Sequence, residues 1–202
     1  MSFVEPTVKR VIAFFDGQSL FHAAKSAFGY SHPNYDPKRL AEEICRSKGW
    51  LLVETRFYTG MPEPTDDPEW NSYWARKLLT MNIQGVWTFS RPLRYRHSET
   101  ILPDGSKVQI RLPEEKGIDV RIAIDILRLC LKESYDVALI FSQDQDLSEL
   151  AVEFRTISKE QDRWIKIASA FPSSPLYRNT RGINGTDWIP IEKPFYLSLI
   201  HI

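Results

Sequence analysis

The segment VALIFSQDQDLSEL, residues 137–150, constrains the fold more than any other part of the sequence. It places a run of apolar residues, Val137–Phe141, before a polar turn that holds Asp144 and Asp146, and a helical pattern follows. A short, wholly apolar strand is typical of a parallel sheet that is covered on both faces. Because ligands bind beyond the carboxyl ends of such strands, this turn is predicted to lie at a functional site.

Two further segments place aspartates in comparable positions. Val11–Phe15 is a second wholly apolar run, and Asp16 follows it directly, with Gly17 next to permit a sharp turn. The segment KGIDVRIAIDIL, residues 116–127, places Asp119 at the start of a helical pattern. We expect the three segments to meet in one acidic pocket.

The helical pattern that begins near residue 118 separates two of its aspartates. At about 100° per residue, Asp125 shares a stripe with Arg121 and Arg128, and this stripe is predicted to face solvent. Asp119 lies nearly opposite, among apolar residues, where a charge is costly unless a cation or the helix N-terminus compensates it. We therefore predict Asp119, and not Asp125, as a residue of the site.

Each aspartate also has a purely structural interpretation. Asp16 could be a turn residue or the cap of the next helix, although Ser19 is the better-placed cap. Asp119 could complement the helix dipole alone. Asp144 lies too early to cap the next helix, whereas Asp146 fits a capping box as well as it fits a metal ligand.

Several carboxylates in one pocket would repel one another, and a hard divalent cation would relieve the repulsion. Mg²⁺ or Mn²⁺ suits an all-oxygen site and bridges phosphates, whereas the four histidines are scattered and lack zinc spacing. The chemistry predicted for such a pocket is metal-assisted attack of water on a phosphodiester. The predicted catalytic and metal-binding residues are Asp16, Asp119, Asp144 and Asp146.

Net charge is zero, because 26 Lys and Arg balance 26 Asp and Glu, so nucleic acid would have to be bound by a local patch. Residues 91–115 are rich in Arg, and residues 163–182 contain basic residues and no acid. The residues predicted to contact substrate are Lys116, Ser142, Arg178, Arg181, Tyr177 and Ser19. Tyr177 could stack on an unpaired base. The acidic loop of residues 63–69 is expected to face away from nucleic acid.

Strands alternate with helices, which predicts an α/β three-layer sandwich with a central, mainly parallel sheet. The five predicted strands are Val11–Phe15, Leu51–Tyr58, Val86–Ser90, Val137–Phe141 and Trp164–Phe171. Asp104-Gly105 predicts a β-hairpin inserted at about residues 91–115. We expect one domain over residues 1–202, with a core at about 9–171 and a C-terminal extension, 172–202. The apolar tail could pack on the domain or join two subunits as a homodimer.

The expected compartment is the cytoplasm. The two cysteines, Cys45 and Cys130, lie in helical patterns and are expected to be reduced. No apolar run approaches membrane-spanning length, and the N-terminus lacks the features of a signal peptide. We therefore expect no membrane partner.

The motifs FDGQSLF, KGIDVRIAIDIL and VALIFSQDQDLSEL, in this order, resemble those of the NYN domain of the PIN-like nuclease superfamily. The resemblance covers about residues 11–171. It implies a PIN-like fold and metal-dependent ribonuclease activity on single-stranded or structured RNA, with Mg²⁺ or Mn²⁺ as cofactor. Asp16, Asp119, Asp144 and Asp146 match the acidic positions of the family.

The sequence departs from the family pattern in the same motifs. Ser19 stands where the family usually has Asn, and Gln143 and Gln145 replace glycines, which could narrow access to the metal. A non-catalytic RNA- or protein-binding module is therefore the alternative to a ribonuclease. A phosphatase of the haloacid-dehalogenase type would need a second aspartate two positions after Asp16, where the chain has Gln18.

Overall fold

A sheet of six parallel strands forms the centre of the computed structural model, which describes residues 3–31, 33–101, 103, 106–176 and 180–197. The strands are β1 (Arg10–Asp16), β2 (Leu51–Met61), β3 (Trp87–Pro92), β4 (Arg94–Ile101), β5 (Lys107–Glu114), β6 (Val137–Phe141), β7 (Lys166–Ser173) and β8 (Asp187–Glu192). The order in the sheet is β3-β2-β1-β6-β7-β8, and β4 pairs with β5 separately. The predicted α/β fold with a parallel sheet is confirmed.

Within the described ranges, six α-helices connect or follow these strands. They are α1 (Gly17–Phe28), α2 (Pro37–Lys48), α3 (Pro68–Ile83), α4 (Ile118–Leu131), α5 (Glu149–Glu160) and α6 (Lys193–Leu197). The Asp-Pro pairs start two of them as predicted: Asp36 accepts a hydrogen bond from the Arg39 N–H at 3.0 Å, and Asp67 accepts one from the Trp70 N–H at 3.0 Å. Within the described residues, no helix is both long and apolar enough to cross a membrane.

Helices cover both faces of the sheet, which makes three layers. Side chains of α1, α2, α3 and α6 pack on one face, and those of α4 and α5 pack on the other. Along β1, Val11 and Phe15 enter the first core while Ile12 and Phe14 enter the second, and all four are at most 1% exposed. This two-sided burial is the physical reason for the wholly apolar strand sequences.

The predicted inserted hairpin is present between β3 and α4. Its two strands are antiparallel, with Arg94 opposite Glu114 and Ile101 opposite Lys107. The Asp104-Gly105 turn on which the prediction depended lies outside the described residues. An ion pair of 3.1 Å between Arg111 and Asp66 joins the hairpin to the loop before α3.

The sixth strand was not predicted. β8 pairs in parallel with β7, from Ala168 opposite Asp187 to Ser173 opposite Glu192. Its sequence, DWIPIE, contains Pro190 and buries only Ile191, which hides the strand pattern; proline is tolerated because β8 is the outermost strand. Part of the tail therefore packs on the domain, whereas residues 198–202 lie outside the described ranges and a homodimer stays a prediction.

Candidate active site

The carboxyl ends of β1 and β6 bring the predicted turns together. Phe15 lies opposite Phe141 in parallel register, so Asp16 and Ser142 follow side by side. The Ser142 hydroxyl lies 3.3 Å from Oδ2 of Asp16. The N-terminus of α4 reaches the same place, and together these elements enclose a polar cavity of about 240 Å³. We call it the acidic cavity; it is lined by Asp16, Glu115, Lys116, Gly117, Ile118, Asp119 and Asp144.

Asp16 lines the acidic cavity and is only 5% exposed. Its Oδ1 accepts a hydrogen bond of 2.9 Å from the Ser19 N–H, which makes Asp16 the N-cap of α1. The expectation that Ser19 would be the cap was wrong, because the helix begins at Gly17 and not near Leu20. The cap fixes the direction in which the Asp16 carboxylate points.

Two serines join α1 to the turn after β6. The Ser142 hydroxyl lies 3.1 Å from Oγ of Ser19 and accepts a 3.1 Å hydrogen bond from the Asp144 N–H. The Gln143 N–H donates to Oγ of Ser19 at 3.4 Å. Ser19 thus makes a polar link at the position where the family usually has Asn. That either serine contacts substrate stays a prediction.

The last acidic turn separates its two aspartates. Oδ1 of Asp144 accepts a 3.0 Å hydrogen bond from the Asp146 N–H, which starts a short 3-10 turn over Gln145–Ser148. Asp144 therefore caps this 3-10 turn while it lines the acidic cavity, and it lies too early to cap α5, as expected. Asp146 is exposed and does not line the cavity. The capping-box alternative is not observed, because α5 starts after Ser148 without a side-chain cap.

Glu115 is a carboxylate of the acidic cavity that the sequence patterns did not reveal. Its Oε2 accepts a hydrogen bond from the Gly60 N–H on β2. Burial, together with the charges of Asp16 and Asp119, raises the pKa of Glu115 to about 7, against the lowering effect of the hydrogen bond from the Gly60 N–H. The only sequence signal was an acid directly before the KGID motif, and it takes the return of β5 to bring that acid into the cavity.

Asp16 carries a raised pKa for similar reasons. Burial raises the pKa of its carboxyl group to about 6, and the Asp144 and Asp119 charges add to the effect, while the hydrogen bonds from Ser19 and Ser142 oppose it. Burial is the main cause of both raised pKa values and neighbouring carboxylates add to it, so ionised carboxylates in the cavity cost free energy. A cation in the cavity would remove much of this cost.

The carboxylates fit a hydrated divalent cation by their chemistry. All the acidic side chains offer oxygen, which Mg²⁺ and Mn²⁺ prefer, and Mg²⁺ usually keeps several water ligands. Among the residues that the structure describes, no three His, Cys, Asp or Glu side chains are grouped closely enough to hold an ion directly. The fit is therefore to a cation that some carboxylates contact through water.

The structure describes only some of the predicted substrate residues, and not all of those line the acidic cavity. Lys116 lines it, and its Nζ lies 3.4 Å from Glu114. A Cβ built at Gly117 would lie 2.8 Å from Nη1 of Arg91, which places a second cation at the cavity. Arg181 is exposed on the segment that follows β7. Tyr177 and Arg178 lie outside the described residues.

The two glutamines that replace family glycines bind the C-terminal segment. Nε2 of Gln143 donates to the Arg181 carbonyl at 2.8 Å, and Nε2 of Gln145 donates to the Gly182 carbonyl at 3.1 Å. Oε1 of Gln145 accepts a 3.1 Å hydrogen bond from the Asn184 N–H. Neither glutamine lines the acidic cavity. Their side chains instead connect the turn after β6 to residues 181–184.

Asp125 lies on the other side of α4 from the cavity, but it does not face solvent as predicted. It is 2% exposed and accepts 3.0 Å hydrogen bonds from the Tyr58 hydroxyl and from Nε of Arg121. The Arg56 guanidinium lies 3.7 Å away. The prediction was wrong because Tyr58 and Arg56 of β2 cover Asp125, which helical periodicity alone cannot reveal; Arg128 on the same stripe is exposed as predicted.

The raised pKa values predict that stability falls as pH rises. The folded carboxyl groups of Asp16 and Glu115 have pKa values of about 6 and about 7, above their ordinary values of 3.8 and 4.5. Between about pH 4 and pH 7 the folded state thus binds more protons than the unfolded chain. The free energy of unfolding should therefore fall by a few kcal/mol across this range, since each tenfold difference in proton affinity is worth about 1.4 kcal/mol.

Calorimetry at pH 5 and pH 8, with and without Mn²⁺, tests this pH dependence. Mn²⁺ should raise the Tm more at pH 8, because the carboxylates it neutralises are then ionised. The double variant Asp16→Asn, Glu115→Gln is the control and should show a flatter pH profile and a smaller Mn²⁺ effect. An equal Mn²⁺ effect at both pH values would contradict the prediction.

Comparisons with known proteins concern the family and the fold of the chain. Low amplitude and bright protein LabA of Synechococcus elongatus is 26% identical over 144 residues, which are 71% of this chain and 66% of that protein, so the chain spans just under two thirds of its relative. A crystal structure of a protein of unknown function from Vibrio parahaemolyticus superposes with a TM-score of 0.53 at 17% identity and covers 93% of this chain and 95% of that chain. This second likeness supports the fold alone.

The family assignment comes from the NYN domain itself, whose sequence model matches residues 10–161. That range contains the described acidic residues that line the cavity and the hairpin beside it. NYN domains are generally nucleases, typically use divalent metals and typically bind RNA. Because the match extends over most of the chain, the protein belongs to the NYN domain family.

Proposed function

We propose that the protein is a Mg²⁺- or Mn²⁺-dependent ribonuclease that hydrolyses phosphodiester bonds of RNA at the acidic cavity. The observation that carries the proposal is the meeting of four carboxylates, Asp16, Glu115, Asp119 and Asp144, in one cavity at the carboxyl ends of parallel strands. Two of them have raised pKa values. Interacting groups with perturbed pKa values in a cleft are typical of functional sites.

Asp16, Asp119 and Asp144 would hold the cation, with Glu115 beside them. When bound, the cation supplies a water of lowered pKa and stabilises the developing charge on the leaving oxygen. The predicted fourth ligand, Asp146, is exposed beside the cavity and would act through water. The Ser19 N–H keeps the Asp16 carboxylate in place during this chemistry.

Glu115 and the nearby cations have separate roles in the proposed reaction. With a pKa of about 7, the Glu115 carboxyl group can accept or donate a proton near neutral pH, as a general acid–base group must. Lys116 and Arg91 lie at the cavity and can bind the phosphates on either side of the scissile bond. The cavity thus combines acidic side chains that would hold the cation with basic side chains that would bind the phosphates of the substrate.

A non-catalytic RNA- or protein-binding module is the second candidate. The observation in its favour is that no three acidic side chains of the described ranges are grouped tightly enough to hold an ion directly. Such a module would bind RNA through its basic residues with strong salt dependence and would leave it intact.

Cleavage of an end-labelled, mixed-sequence single-stranded RNA distinguishes the two candidates. The wild type should cut with Mn²⁺ or Mg²⁺ and stop with a chelator. Asp144→Asn, which removes one charge from the cavity, should slow cleavage roughly 100-fold. Asp162→Asn is the control, because Asp162 is exposed, does not line the cavity and has a φ of 48° that Asn tolerates. RNA binding without cleavage in either metal would favour the binding module, and full activity of Asp144→Asn would remove that residue from the mechanism.

A further inference from the structure

A second cavity, of about 410 Å³, lies beside the acidic one. It is enclosed by α1, the loop before α3, α3 itself and the hairpin. Its walls include the rings of Phe21, Trp70, Trp74 and Tyr95. We call it the aromatic cavity. An opening walled by several aromatic rings is unusual beside a cavity that is mainly polar, and it indicates a ligand with flat apolar faces.

Two glycines connect the aromatic cavity to the acidic one. Gly17 lines the aromatic cavity and follows Asp16 directly in the chain. Gly60 also lines it, and its N–H donates to Glu115 of the acidic cavity. A Cβ at Gly60 would collide with Leu93 and with Oε2 of Glu115. The two cavities are therefore neighbours: Asp16 and Gly17, adjacent in the chain, each line one of them, and Gly60 of the aromatic cavity contacts Glu115 of the acidic one.

The rings suit a nucleobase. Trp70 is 39% exposed, and the Arg111 guanidinium lies 4.4 Å from the centre of the Tyr95 ring. Bases of single-stranded nucleic acid stack on aromatic side chains and on Arg, whatever their sequence, and a volume of about 410 Å³ admits a single base with room to spare.

Two carboxylates add a preference among bases. Asp66 and Asp67 line the aromatic cavity, although the acidic loop was expected to face away from nucleic acid. Asp66 pairs with Arg111 of the hairpin at 3.1 Å and Asp67 caps α3, so the loop lies next to the hairpin. A carboxylate accepts hydrogen bonds from exocyclic amino groups, which adenine, cytosine and guanine carry and uracil lacks.

The hairpin provides positive charge for the strand between the two cavities. Arg91 is exposed at the start of this insertion with its Nη1 close to Gly117 of the acidic cavity, and Arg111 of β5 lies over the Tyr95 ring of the aromatic cavity. Phosphates of a strand next to the two cavities would meet these guanidinium groups, each of which can bind two phosphate oxygens. The inserted hairpin at residues 91–115 would therefore help to position the substrate.

We propose that the aromatic cavity binds one unpaired nucleobase of the RNA strand, adjacent to the phosphate that is cleaved, and prefers a base with an exocyclic amino group over uracil. The inference rests on the proposed function, because it takes RNA as the ligand of the acidic cavity. It extends that function by naming the feature of the substrate that the protein selects.

Binding of fluorescein-labelled oligo(A), oligo(C) and oligo(U) to Asp16→Asn protein in Mn²⁺, followed by anisotropy, tests the subsite without interference from cleavage. Oligo(A) and oligo(C) should bind more tightly than oligo(U). Trp70→Ala in the same background should weaken oligo(A) binding roughly 5- to 100-fold, the range for losing one base–aromatic stack. Ile83→Ala is the control, because Ile83 is 79% exposed on the same helix and does not line the aromatic cavity.

A second variant tests the base preference independently of stacking. Asp67→Asn keeps the cap of α3, because Asn caps as well as Asp, but offers uracil an amide donor. It should reduce the preference for oligo(A) over oligo(U) while the melting temperature stays close to that of the parent. An unchanged preference in this variant would exclude Asp67 as the selecting group and overturn that part of the proposal.

The remaining outcomes separate the subsite from the ribonuclease. Equal binding of the three homopolymers, with no effect of Trp70→Ala, overturns the base subsite even if the wild type cleaves RNA in Mn²⁺. Base-selective binding that depends on Trp70 supports the subsite, and it does so even if the wild type cuts nothing and the proposed hydrolysis fails. Absence of binding to any homopolymer overturns the base subsite, and RNA cleavage by the wild type then decides the proposed hydrolysis separately.

Discussion

Asp16→Asn is expected to lower the rate of metal-dependent RNA cleavage roughly 1000-fold and, at the same time, to raise the melting temperature at pH 8. The loss of activity follows because Asp16 is the most deeply buried carboxylate of the acidic cavity, at 5% exposure. The gain in stability follows because its pKa of about 6 means that burying the ionised group at pH 8 costs free energy, on the order of 2 kcal/mol.

The cap at this position makes Asn a clean replacement. Oδ1 of Asn can accept the hydrogen bond from the Ser19 N–H that Asp16 accepts at 2.9 Å, so α1 keeps its start. Asp36→Asn is the matched control, since Asp36 caps α2 in the same way and does not line the cavity. It should leave both activity and melting temperature nearly unchanged. Normal cleavage by Asp16→Asn, or a lower melting temperature at pH 8, would contradict the prediction.

Asp125→Ala is expected to destabilise the protein by roughly 3 kcal/mol, the cost of removing one partner from a buried ion pair. Asp125 is 2% exposed, and its carboxylate accepts hydrogen bonds from Tyr58 and Arg121. Arg56, whose side chain is 14% exposed, would lose this carboxylate neighbour and keep Glu54 at 2.9 Å. The variant thus leaves a buried hydroxyl and a buried cation poorly compensated.

Urea unfolding at pH 7 measures this effect, and Asp119→Ala on the same helix is the control. Asp119 lies in the first turn of α4, half-buried beside the acidic cavity, so its removal costs the favourable dipole interaction but relieves repulsion. We expect a change below about 1 kcal/mol for that variant. An equal loss of unfolding free energy in both variants would show that the Asp125 contacts do not stabilise the fold more than Asp119 does.

The local pattern of the sequence was sufficient to predict the sheet and most of the acidic cavity. Val11–Phe15 and Val137–Phe141 are wholly apolar because both faces of each strand are covered, and parallel strands must then end at one edge. Asp16 ends the first of these strands and Asp144 lies in the turn after the second, so their convergence follows from the topology of the sheet. The structure also brings Asp119 to the acidic cavity, on the side of α4 that periodicity indicated.

The features that could not be predicted depend on which distant segment covers a given surface. Glu115 enters the acidic cavity through the return path of the hairpin, and Asp125 is buried because β2 lies across its helix. Neither fact is encoded in spacing along the chain. The ion pair between Asp66 and Arg111 likewise joins residues far apart in sequence, so no local pattern reveals it.

The pairing of β7 with β6 limits how far the C-terminus could be shortened in a working fragment. The family match ends at residue 161, before β7 and β8 begin. A chain truncated there would expose the hydrogen-bonding groups of β6 along its whole length, on a strand with no polar residue to discourage association. An exposed apolar edge strand of this kind can pair with another chain and so promote aggregation. The two C-terminal strands supply none of the four cavity carboxylates, yet they shield the strand that carries Asp144 from self-association.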